Sequence, residues 1–237
     1  MVIGADGCPS GWFGVWEDPE EGLVGQVFPS ALELFSGPWS VIAIDIPIGL
    51  RSARDPRASA PRAADTAARL MLPPRRKSSV FRAPLREATL CRTRAEADDV
   101  SRGLIGKGVS AQAFGIYQKI REVDKALQLD MSFQERVFEV HPEVSFAAIN
   151  GGAGFEDEKR SPSGQAQRTR LLEHVLGAQD PALLLRRNIR KSEVADDDIL
   201  DACAALVTAK RIEAGEAVSF PDPPEVDSMG LRMAIWA

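Results

Sequence analysis

The 237-residue chain has only two histidines and three cysteines, Cys8, Cys91 and Cys203. No CxxC pair or His/Cys cluster is present, which argues against a zinc site or a disulfide framework and suits a reducing compartment. No apolar run approaches the ~20 residues needed to span a bilayer, and MVIGADGC lacks the basic start and long apolar stretch of a signal peptide. The expectation is a cytoplasmic protein with no membrane partner. Aromatic residues are scarce too: Phe81 is the only one in the basic segment described next, which falls short of a row of stacking rings, so sequence readout is not expected.

What is present is a globular composition, 44% apolar and 27% charged, long enough to bury a sizeable core. One domain over residues 1–237 is expected, carrying a basic, mostly helical insertion at about 51–130. The net charge of −5 conceals an uneven distribution. Arg51 to Arg94 holds twelve Lys or Arg residues against Asp55, Asp65 and Glu87, a basic patch on an otherwise acidic protein.

VIGADGC, GWFGVWED and LVGQVF, separated by the turn signals CPSG and DPEEG, predict an antiparallel meander. VIAIDI, apolar on both faces, predicts a buried strand of a central sheet, and RVFEV another. Helical spacing recurs in RAADTAARLML, in SAQAFGIYQKIREVDKALQL, which begins on the N-cap Ser110, and in QAQRTRLLEHVLG. HPEVSFAAIN suits a short helix, and GGAGFEDEKRSPSGQ reads as a loop. ADDDILDACAALVTAKRIEAG has an acidic first turn, basic residues near its end and Gly215 beyond, and predicts a long helix. GLRMAIWA is expected to close the sheet as an edge strand.

Asp6, Asp45 and Glu139 each stand in an apolar strand, where a carboxylate costs several kcal/mol unless a cation, a metal or hydrogen bonds compensate. On the long helix Asp198 and Asp201 share a face, three residues apart. Carboxylates converging from strand ends and one helix make a site for hard divalent cations, Mg2+ or Mn2+, and such ions hydrolyse phosphodiesters. Blander roles exist: Asp6 suits a turn cap beside Gly7, Asp196 to Asp198 suit the helix dipole, and His141 is either structural or a proton-transfer group.

In order along the chain, ADGCPSGW, AIDIPIGL, PRAADTAARLML, SSVFRAPLR, SAQAFGIYQKIREVD, VFEVHPEVSF and DDDILDACAALVTA resemble the motifs of one family nearly end to end. It is the predicted nucleases of RNase H-like fold labelled domain of unknown function 429. The resemblance implies an α/β fold, an RNase H-like mixed sheet of antiparallel meander plus parallel strands, flanked by helices. It implies a metal-dependent nuclease with Asp6, Asp45, Asp198 and Asp201 as catalytic metal ligands, while Glu139, His141 and Glu143 of EVHPE belong to the family's own motif; Glu139, the acid of a third apolar strand, is counted with the catalytic acids, and His141 and Glu143 as accessory groups. Arg62, Arg75, Arg76, Lys77, Arg82 and Lys119 are then expected to hold phosphates of a nucleic acid recognised by structure rather than sequence. Two other classes fit part of the pattern. DGCPSGW could be the phosphate-holding hairpin of an actin-like phosphotransferase or ATPase, for which a homodimer would supply the second domain, and the basic segment alone could serve a non-catalytic nucleic-acid-binding protein.

Overall fold

The computed structural model describes residues 1–187 and 189–237. The strands β1 (Val2–Cys8), β2 (Gly11–Asp18) and β3 (Gly22–Phe28) form the expected meander. After α1 (Ala31–Phe35), β4 (Val41–Ile44) pairs parallel with β1, and β5 (Val137–Glu139) pairs parallel with β4. The order β3-β2-β1-β4-β5 is a mixed five-stranded sheet flanked by helices, consistent with an RNase H-like fold.

Between β4 and β5 run α2 (Ala63–Leu70), a 3-10 helix (Pro74–Ser79), α3 (Arg86–Thr89), α4 (Arg94–Ile105), α5 (Ala111–Gly115), α6 (Tyr117–Leu129) and α7 (Ser132–Arg136). After β5 come α8 (Pro142–Ile149), α9 (Pro162–Leu176), α10 (Pro181–Arg186), α11 (Asp196–Ala214), β6 (Ser219–Val226) and β7 (Arg232–Trp236). Two expectations need correction. The helix expected from Ser110 is divided at Ile116 into α5 and α6. The last strand does not join the central sheet as its edge strand. Instead β7 pairs with β6 in a separate hairpin, touching the central sheet's end through a Val140–Trp236 bridge. Pro221, Pro223 and Pro224 disguise β6, because a proline cannot donate to a ladder.

Strand periodicity sorts the core into two layers. Ile3, Ala5, Ile42 and Ile44 face Leu34, Phe35, Ile120, Val123 and Leu127 on one side of the sheet. Val2, Val41 and Ala43 face Ile199, Ala202, Cys203 and Leu206 of α11 on the other. On this second side α11 lies directly against β1. A Cβ at Gly4 would stand 1.9 Å from the Leu206 nitrogen and 2.5 Å from the Ala202 carbonyl oxygen, so only a glycine lets the two backbones come this close. The alanine-rich stretch Ala202 to Ala205 makes the matching approach from the helix.

The contact at Gly4 is backbone against backbone, so no side chain can relax to admit a methyl group. Gly4→Ala is therefore expected to destabilise the protein by more than ~3 kcal/mol, read from the urea midpoint, or to leave no soluble protein. A cost below ~1 kcal/mol would contradict this packing.

Candidate metal centre

The geometry follows from register. Val2 pairs with Val41 and Ala5 with Ile44, and the Asp45 backbone N–H donates to the Ala5 carbonyl at 2.9 Å. The next step along both strands therefore places Asp6 beside Asp45 as β4 ends. Period-two alternation turns both toward α11, with Gly4 and Ala43. The close packing of α11 on Gly4 brings Asp201 over them. One carboxylate oxygen from each of Asp6, Asp45 and Asp201 lies within 4.8 Å of the others, a spacing at which one cation can be shared.

Nothing in the protein fully offsets so much negative charge. Burial, then Asp45, Asp201 and Asp198, hold the Asp6 carboxyl well above the usual carboxylate range. Burial and then Asp201 push Asp45 up to about 7. Burial also raises Asp201, outweighing the Lys159 ammonium 2.7 Å from its Oδ2. Asp6 accepts the Gly7 N–H at 2.6 Å, so its turn-capping role is real, but only one of its oxygens is used. No donor among the described residues reaches the Asp45 carboxylate. Three oxygen donors, short of cations and carried on strands and a helix, could hold a metal ion.

The other expected residues divide into those near the triad and those engaged elsewhere. Asp198 lies close enough to raise Asp6 but stands outside the three acids whose oxygens converge, and its Oδ2 accepts the Ala195 N–H at 3.1 Å. Glu139 turns away from the acids. It takes Arg62 Nη1 and Nη2 at 2.8 and 2.7 Å and the Ile48 N–H at 2.7 Å, within a buried network that includes Asp65. Glu139 is therefore not a free catalytic acid, and Arg62, 2% exposed, cannot contact a phosphate. Arg82 donates to the carbonyls of Ala58, Ser59 and Ala60, clamping their loop. Lys119 packs over the Trp12 ring with its ammonium on the Gly11 carbonyl. Most of the basic segment is consumed in this way, while Arg75 is exposed and Lys77 half-buried.

Arg76 does reach the centre. With Asp45, Ser79, Phe81, His141, Glu143, Lys159 and Asp201 it lines a cleft of about 250 Å³. Glu143 is held by Arg168 at 2.7 Å and by Arg76 at 3.3 Å, and His141 Nε2 meets the Ser79 carbonyl at 3.2 Å. Sequence reasoning missed Lys159 and Arg160, which reach Asp201 and Asp197 from the loop before α9. Their only signal was two cations beside the acids Glu156, Asp157 and Glu158, which any solvated loop could carry.

The chain matches the family described as "Protein of unknown function (DUF429)" over residues 4–226. It belongs to the DUF429 family. No curated protein and no solved structure matches it. The match includes Gly4 and all three acids of this DUF429 chain, Asp6, Asp45 and Asp201.

Two outcomes are expected. Asp45 has a raised folded pKa, so the stability it contributes is present below its unfolded value of ~3.9 and is lost as pH rises through about 7. Without metal, Asp45→Asn should melt at least ~3 °C above the native sequence near pH ~8, with the gap narrowing as pH falls and closing only near pH ~4, while Mn2+ stabilises only the native sequence. Glu139→Gln should cost ~3–5 kcal/mol in denaturant unfolding, because it leaves Arg62 buried with too little charge opposite, yet keep the Mn2+ response wherever it is folded.

Proposed function

We propose that this protein is a divalent-metal-dependent phosphodiesterase acting on nucleic acid. The observation that carries the reading is the meeting of Asp6, Asp45 and Asp201 beside a cleft whose remaining walls hold Arg76 and Lys159. A polyanion is repelled by bare carboxylates and attracted once cations intervene, and here both kinds of group share one opening.

Asp6, Asp45 and Asp201 would hold Mg2+ or Mn2+, which when bound supplies a more acidic water and charge stabilisation for the leaving oxygen. The protein's own groups do the rest. The Arg76 guanidinium and the Lys159 ammonium pair with phosphate oxygens and orient the backbone across the acids. Burial lowers the His141 pKa despite the Ser79 carbonyl and the acids nearby, which favours the neutral ring. With Nε2 donating to the Ser79 carbonyl, Nδ1 is left as a proton acceptor, buried and without a partner among the described residues. Lys159 has a second consequence: its bond to Asp201 competes with a metal for the same oxygen.

The glycines of the first hairpin favour this reading over a nucleotide-holding loop. A Cβ at Gly11 would stand 2.2 Å from the Phe28 carbonyl oxygen, so that glycine serves close packing, and the space at Gly7 is filled by the Lys119 side chain, 2.8 Å from where a Cβ would stand.

The test is cleavage of branched, single-stranded and RNA–DNA hybrid substrates with Mg2+ or Mn2+. Cleavage is expected, with Asp45→Asn lowering kcat/KM at least ~100-fold in a folded protein. No turnover of any nucleic acid with either metal would contradict the proposal. Lys159→Ala is expected to separate its two roles, tightening Mn2+ binding by calorimetry while raising KM for the nucleic acid.

A further inference from the structure

Fourteen of the fifteen aromatic side chains are buried or half-buried, and Phe81 alone is exposed, at 38%. An isolated exposed phenylalanine is unremarkable on a protein surface. Its position is what matters. Phe81 lines the cleft that holds Asp45, Asp201, Arg76 and Lys159, and it packs in no pair with another ring.

The backbone around Phe81 is tied down on both sides. Val80 is buried, and its carbonyl accepts Arg69 Nε at 2.7 Å. Ala83 is buried, and its N–H donates to Asp65 Oδ2 at 3.0 Å. Asp65 is anchored in turn by Arg62, which also holds Glu139. The buried network that removes Arg62 and Glu139 from direct chemistry thus fixes the backbone on which Phe81 stands. A ring carried on an anchored backbone beside a charged opening is placed for stacking.

Arg76 is poised for the matching contact. Its side chain lines the cleft, and its ion pair to Glu143 is 3.3 Å long, a loose hold on the guanidinium. A phosphate oxygen would satisfy what Glu143 leaves unmet.

We infer that this cleft binds one unpaired nucleotide, its base stacked on Phe81 and its phosphate held by Arg76 and Lys159, so that the substrate is single-stranded or locally unpaired nucleic acid. A base within a duplex has both faces covered by its neighbours, and only an unstacked base can present one to the ring. The cleft, about 250 Å³ and near the lower end of ligand-site sizes, has room for one base or nucleotide unit. The inference rests on the phosphodiesterase reading for the fate of the bound phosphate, but not for binding itself.

The experiment uses the full chain carrying Asp45→Asn, so that substrate is bound and not cut. The probes are single-stranded DNA, single-stranded RNA and a blunt duplex of the same sequence, each containing 2-aminopurine. Single strands are expected to bind at least ~10-fold tighter than duplex by anisotropy, with 2-aminopurine fluorescence quenched on binding. Adding Phe81→Ala should weaken single-strand binding about 10-fold and abolish the quench, whereas Phe81→Trp should keep both. In the otherwise native chain Phe81→Ala should leave the Mn2+-induced rise in Tm unchanged, which shows that the triad is intact. Equal affinity for duplex and single strand, or an unchanged quench in Phe81→Ala, overturns the inference even if the native enzyme cuts nucleic acid. Phe81-dependent binding of single strands without metal-dependent cleavage by the native chain supports the subsite and removes the phosphodiesterase reading.

Discussion

Gly4 lets α11 lie against β1 more closely than any side chain would allow, with backbone atoms of Ala202, Ala205 and Leu206 in the space where a Cβ would stand. The rest of the site depends on that approach. Strand register sets Asp6 and Asp45 side by side, but two carboxylates on neighbouring strands are only half a centre. The third, Asp201, precedes Ala202 by one residue, so the distance from helix to sheet is also the distance from Asp201 to its partners. Any larger residue at position 4 would push both apart together.

The same close packing explains the electrostatics. Bringing three carboxylates into a shielded corner raises all of them above the ordinary range, and Lys159 offsets only part of this. A fold that holds such charge in place expends stability on it, which is characteristic of functional sites and rare in purely structural ones. The Arg62, Asp65 and Glu139 cluster is the instructive contrast. Its two carboxylates enclose one guanidinium with full hydrogen bonding, and it serves as an anchor. Both clusters are buried and acidic. The difference is whether the chain supplies its own cation in full.

Much of this was legible from local pattern. The meander, the parallel strand VIAI and the long helix follow from periodicity and turn residues, and Asp45 and Asp201 stood out because neither packing nor the helix dipole explains them. Glu139 carried the same signature as Asp45 and has a different role, because the cation that neutralises it lies far away in sequence at Arg62. Asp198 shares the helical face of Asp201 yet sits in the first turn, where capping claims one of its oxygens. Lys159 could not be found, since the loop that carries it has no periodicity and its reach to Asp201 is a purely tertiary fact. The basic segment misled in a similar way: charge counting finds cations, but only three-dimensional pairing shows that Arg51, Arg62 and Arg86 are already bound to Asp55, Glu139 and Asp124.

The central claim is that Asp6, Asp45 and Asp201 form a cation site. Anomalous scattering from crystals soaked in Mn2+ tests it most directly. The account predicts a peak within ~2.0–2.3 Å of an oxygen from each of the three carboxylates, with the Lys159 ammonium displaced from Asp201. Soaked crystals with no peak there, and Lys159 still bonded to Asp201, would contradict it.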